Sequence, residues 1–270
     1  MIIANHAHLM PEPGADAWWP AGGTDMLLEH IDYCGINKAV VFPPFACQMD
    51  NDITKANRWA WQEVKKHPDR LIAAGVINPV AENAVELLSI FQAEGIKHAK
   101  VHPSVDKHDI SSPLADACYE KAEALEIALD YHTGVHGTQL SMSNPEKFDD
   151  IAWKYPGLKM IFEHIGGRTY FEQFLAIMTN HANRSKEPCI FGGITSVLSI
   201  ENNRFWYLGP EKIMDIIEFA GADSLVFGLD FPWNSKEINK RDIEIIEQLD
   251  ISVKNKEKIL GGNLSRIIEC

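Results

Sequence analysis

Cysteine is scarce in this chain: its 270 residues carry five, Cys34, Cys47, Cys118, Cys189 and Cys270, widely spaced and without a CxxC pair. Such spacing disfavours a disulfide framework or a thiolate metal site and fits a reducing cytoplasm. Long apolar runs are missing too. No stretch approaches the about 18 continuous apolar residues of a membrane span, and the apolar opening of MIIANHAHLM breaks off too early for a secretory signal. Positive charge is also in short supply, with 25 Lys and Arg against 38 Asp and Glu, a formal net charge of −13. An acidic surface repels nucleic acid and anionic membranes, so neither is expected as a partner. A small-molecule substrate, even an anionic one, stays open because a metal makes a pocket locally positive. Linkers, low-complexity tracts and strong repeats are absent.

What is present is an ordinary globular composition, 46% hydrophobic and 23% charged. Short apolar runs rich in Val, Ile and Phe alternate with longer amphipathic segments, the pattern of parallel βαβ units. Strands are expected at IIANHAH from residue 2, INKAVVF from 36, RLIAAGVI from 70 and KHAKVH from 97. Four more follow at IALDYH from 127, LKMIFEH from 158, CIFGGI from 189 and SLVFGLD from 224. A plausible helix follows each. Thr24, Asp52 and Asn144 with Pro145 read as helix starts, and Gly35, Gly95 and Gly221 as stops. This predicts a single (β/α)8 TIM barrel over residues 1–270, a fold that commonly takes about 250 residues.

In such a barrel the reactive groups sit at the C-terminal ends of the strands. Those ends are polar here: His6 and His8 on the first strand, Lys100 and His102 on the fourth, His132 on the fifth, His164 on the sixth and Asp230 on the eighth. A spacing of two puts His6 and His8 on one strand face, where both imidazoles converge on one ion, and His132 and Asp230 are placed to complete its shell. A nitrogen-rich set with one carboxylate suits zinc first, with manganese or iron as alternatives.

These residues resemble the amidohydrolase superfamily, in particular the amidohydrolase-related branch that includes aminocarboxymuconate-semialdehyde decarboxylase. The resemblance spans nearly the whole chain, through HAH, GIKHAKVHP, YHTG, FEHIGG, FGLDFPW and ILGGNLSRII. It implies one divalent metal held by His6, His8, His132 and Asp230, with His164 catalytic. The opening departs from the branch pattern, with Ala4 where an acidic residue is frequent. Lys100 raises a further question, since other branches bridge two metals with a carboxylated fourth-strand lysine. Dimers are frequent in the branch, so the resemblance implies a homodimer.

The expected chemistry is metal-dependent hydrolysis of a small amide, lactone or related bond. Asp230 accepts a proton from a metal-activated water, and His164 stabilises the oxyanion or moves a proton. The alternative is nonoxidative decarboxylation of a small carboxylic acid, with Arg168 placed to meet a carboxylate. Metal-independent lactonase activity and a non-catalytic, metal-stabilised barrel are further alternatives. Lys100, His102, Arg168 and Trp233 are the expected substrate contacts, and His136 and Trp18-Trp19 candidate mouth residues. PEPGADAWWPAGG is a candidate lid or rim, and histidines 30, 67, 98, 108 and 181 are read as surface residues without a role.

Overall fold

A computed structural model describes the chain apart from Asp16, Asn183, residues 185–187, Asn202, Asn203 and Cys270. Cys270 and Asp16 of the long first loop thus lie outside the described residues. The strand segments are β1 Ile3–His8, β2 Lys38–Phe42, β3 Leu71–Ala73, β4 Gly75–Val76, β5 His98–Val101, β6 Ala128–His132, β7 Met160–Glu163, β8 Ile190–Gly193, β9 Leu225–Val226 and β10 Gly228–Phe231. Each overlaps one of the eight expected runs. The third and eighth runs are each interrupted once, at Ala74 and at Phe227, giving two segments apiece.

Neighbouring segments pair in parallel in the orders β10-β1-β2-β3 and β4-β5-β6-β7-β8-β9. The interruptions do not open the wall: the Ala74 N–H donates to Val41 O at 3.0 Å, and the Asn5 N–H donates to Phe227 O at 2.8 Å. Chain continuity from β3 to β4 and from β9 to β10 therefore closes the two sheets into one (β/α)8 barrel.

The helices are α1 Thr24–Cys34, α2 Ile53–Val64, α3 Ala84–Ala93, α4 Pro103–Asp106, α5 Asp116–Ala124, α6 Pro145–Lys154, α7 Gly167–Ala182, α8 Gly209–Phe219, α9 Lys236–Gln248, α10 Val253–Glu257 and α11 Asn263–Glu269. Their ends follow local chemistry. The Asp52 carboxylate accepts from the Lys55 N–H at 2.9 Å, and Asn144 Oδ1 accepts from the Glu146 N–H at 3.2 Å with Pro145 opening α6. Gly35 ends α1 at φ 71°, a left-handed geometry natural to glycine. Thr24 does not cap: it begins α1 after Gly23, and its hydroxyl faces Glu63 Oε2 at 3.5 Å.

The larger apolar core lies between the strand wall and the helices. A smaller cluster fills the lower barrel with Ile3, Val40, Ala128, Ile161, Phe191 and Val226, and Leu264 and Ile267 of α11 pack against it. The barrel is thus apolar at one end and polar at the other, and the polar end carries the site. The surface reading of the remaining histidines is corrected, since His30, His98, His108 and His181 are all buried. His98 illustrates the reason: alternation along β5 puts 98, 100 and 102 on one face, and that face points into the barrel. His30 Nε2 meets Asn239 Oδ1 at 2.7 Å, and His181 Nε2 meets Asp149 Oδ1 at 3.0 Å.

Candidate active site

The polar end is built from strand termini that leave the regular strand conformation. His6, His164, Ile165, Ser196 and Asp230 all have positive φ, between 48° and 66°. At β1 this accompanies a register shift between Asn5 and Ala7, so strict alternation is broken at His6. Asn5 and His6 therefore both face Asp130 and Glu163 inside the barrel, where alternation would have turned one of them outward.

His6 Nε2 and His8 Nε2 lie 3.3 Å apart, and Asp230 Oδ1 is 3.8 Å from His6 Nε2. Two nitrogens sharing a tetrahedral centre at about 2.0–2.1 Å would stand about 3.3–3.4 Å apart, so the pair fits a metal. An orphaned buried nitrogen points the same way, because His132 Nε2 lacks a hydrogen-bond partner. The ligand atoms of His6, His8 and Asp230 fall within 4.8 Å of one another, while His132 groups with His102 and His136. The expected four-residue set is thus a compact trio with His132 at its flank, its ring 4.9 Å from that of His164.

Electrostatics separates these groups. Burial pulls the His8 and His132 imidazoles well below their usual range, which keeps them neutral and ready to coordinate. At His6, burial and Lys100 act downward, but the Glu163 and Asp130 carboxylates outweigh them and push the pKa up to about 9. Burial acts to raise Asp230, yet the His164, His6 and His8 rings and the Ser196 hydroxyl, which donates at 2.8 Å, hold it below the usual range. His164 is lowered by burial. Its Nδ1 is 2.9 Å from Thr195 O, which only accepts, so the neutral ring carries its proton there and leaves a lone pair on Nε2.

His102 has the opposite tautomer. Its Nδ1 accepts from the Val105 N–H at 3.3 Å, so the neutral ring carries its proton on Nε2. It stacks on His132 at 4.1 Å and offers the cavity a donor rather than a metal ligand. Lys100 is buried at the cavity floor with Nζ 2.9 Å from Asp130 Oδ1. That contact turns the Lys100 amine toward Asp130.

The cavity, about 470 Å³, has walls of Trp18, Phe45, Trp206 and Trp233 around the histidines and Asp230. Arg168 is not among its lining: it is exposed on the first turn of α7, so the expected carboxylate partner is not in place. The glycine pair Gly166-Gly167, at φ 72° and 58°, turns the chain away just before it. Trp18 contributes from the long first loop, which rims the mouth. Trp206, Phe45, Ser196 and Asn234 were not expected. Trp206 packs against His132 and His164 at 5.3 and 4.8 Å, from a loop whose sequence shows no periodicity. Asp130 and Glu163 carried a readable signal, since a charge inside an otherwise apolar strand marks an inward polar layer.

The comparisons with known proteins agree with this architecture. The 5-carboxyvanillate decarboxylase of Sphingomonas paucimobilis superimposes with a TM-score of 0.73 at 15% identity, covering 99% of this chain and 98% of that one. A dihydroxybenzoic acid decarboxylase from Polaromonas sp. JS666, with bound manganese and the inhibitor 2-nitroresorcinol, gives 0.71 at 16% identity over 99% and 96%. A probable 2-pyrone-4,6-dicarboxylic acid hydrolase from Acinetobacter baumannii, with citric acid bound, gives 0.70 at 14% over 100% and 99%. At such identities the likeness shows the fold. No curated protein sequence matches the chain. The amidohydrolase family model matches residues 3–267, and the chain belongs to that family of metal-dependent enzymes.

Proposed function

We propose that this enzyme is a metal-dependent, nonoxidative decarboxylase of a small aromatic carboxylic acid. The observation that carries the reading is the cavity lining: four aromatic side chains surround the histidine and carboxylate cluster, and its one Lys or Arg among the described residues, Lys100, is engaged by Asp130. Aromatic walls suit a planar ring, and with no free ammonium or guanidinium in the lining, a substrate carboxylate has the metal as its electrostatic partner. The decarboxylases among the structural neighbours support the same choice.

His6, His8 and Asp230 would hold the ion, with His132 alongside. Zinc suits their imidazole and carboxylate donors, although the Polaromonas neighbour holds manganese. The ion supplies Lewis acidity toward substrate oxygens. The chain's own residues do the rest. Trp206 and Trp233 confine the ring, and the His102 Nε2–H donates to a substrate oxygen. As the bond from ring carbon to carboxylate breaks and CO2 departs, a proton must be added to that carbon. His164 takes that proton from solvent water on its bare Nε2 and passes it to the carbon, with Nδ1 anchored on Thr195 and the Asp230 carboxylate beside it favouring the protonated ring.

One observation favours hydrolysis as a second reading: the bare Nε2 of His164 is also suited to accept a proton from an attacking water. The test is incubation of zinc- and manganese-loaded enzyme with hydroxybenzoic acids, reading CO2 and the decarboxylated phenol. The expected result is metal-dependent CO2 release, with His164→Asn lowering kcat by about 10²–10⁴-fold. Turnover of lactones or amides without CO2 release from any acid would favour hydrolysis.

A further inference from the structure

Beneath the proposed metal ligands lies a buried polar layer that the reaction does not use: Asn5, Lys100, Asp130 and Glu163, all between 0% and 1% exposed. Its two carboxylates are not equivalent. Asp130 is compensated, with Lys100 Nζ at 2.9 Å, Asn5 Nδ2 donating at 2.8 Å and His98 Nε2 at 3.4 Å. Glu163 faces the His6 ring instead of a lysine. Its Oε1 accepts from Asn5 Nδ2 at 2.6 Å and lies 3.2 Å from His6 Nδ1, and its Oε2 has no hydrogen-bond partner. Among the described residues no Lys or Arg forms an ion pair with it.

Space is reserved for this side chain. A Cβ on Gly193 of the neighbouring strand would stand 2.3 Å from the Glu163 carboxylate, so any other residue at 193 would displace it. The register break at His6 turns that ring's Nδ1 toward Glu163 and its Nε2 toward His8 and Asp230. This buried carboxylate stands directly behind one proposed ligand.

We propose that Glu163 is a positioning residue for the metal centre: its Oε1, 3.2 Å behind His6 Nδ1, holds the ring in the orientation that turns Nε2 toward His8 and Asp230. The inference rests on the metal-centre reading of His6, His8 and Asp230. It predicts a loss of metal affinity out of proportion to any loss of metal-free stability, which a merely structural carboxylate would not give.

The experiment compares wild type with Glu163→Gln, an isosteric change that keeps an acceptor for Asn5. Two quantities are measured: the thermal midpoint of the metal-free protein, and affinity for Zn²⁺ and Mn²⁺ by chelator competition. The expected result is metal affinity lowered about 10–100-fold in a variant that still folds, with only a small fall in the metal-free midpoint. Wild-type affinity in Glu163→Gln would overturn the proposal. So would a fall in affinity matched by a fall in metal-free stability, including failure to fold, because the carboxylate would then be structural. A wild type that takes up neither metal would overturn the metal-centre reading itself, a distinguishable outcome.

Discussion

His6, His164, Ser196 and Asp230 share a backbone feature as well as a cavity: each adopts positive φ, which costs a non-glycine residue on the order of 1 kcal/mol or more. The strain turns consecutive side chains toward the same interior, which a regular strand cannot do. Residue-scale burial has a second signature at Asp106. Its Oδ2 is buried without a partner, and burial pushes its pKa up to about 7. A carboxyl whose folded pKa exceeds its unfolded value, about 3.9, holds its proton more tightly in the folded state. Its contribution is therefore full below about pH 4 and is lost as pH rises through about 7. Asp106→Asn should leave stability nearly unchanged at pH 4 and raise it at pH 8, by at most ~4 kcal/mol. Denaturant titrations at the two pH values measure this, and a constant offset would contradict it.

At the scale of elements, the eight strands were legible because apolar runs of four to eight residues separated by helical patterns have few other readings. Helix ends were legible where chemistry is local, as at Asp52, Asn144 and Gly35. The strand bulge at His6 was not, because it depends on what β2 and β10 offer as partners. Nor was the wall formed by Trp206, whose placement depends on a distant turn. Gly134, at φ 93°, shows the dependence: a Cβ there would lie 2.4 Å from the Trp206 ring and 2.8 Å from Gly166 O. Gly134→Ala combines a disfavoured φ with a collision against backbone, so it should destabilise by about 1–3 kcal/mol. It should also weaken binding of aromatic acids by shifting Trp206. Equilibrium unfolding and ligand-induced quenching of tryptophan fluorescence report the two effects separately.

For the whole molecule, closure of the barrel brings residues 6, 8, 132, 164 and 230 to one mouth, and that convergence was readable from strand order and strand-end chemistry alone. The lower polar layer was only half readable: the charges of Asp130 and Glu163 stood out, but the pairing of Lys100 with Asp130 and of Glu163 with Asn5 required the closed geometry. Arg168 shows the limit of reasoning by proximity in sequence, since two residues of glycine turn suffice to carry it out of the cavity. No helix among the described residues is long and apolar enough to cross a membrane. The central claim is that one divalent ion sits among His6, His8 and Asp230. Its most direct test is elemental analysis of the protein purified under metal-replete conditions, beside a His6→Ala/His8→Ala variant that retains its fold by circular dichroism. About one equivalent of zinc or manganese in the wild type and almost none in the variant is the predicted result; equal metal in both proteins, or none in either, would contradict it.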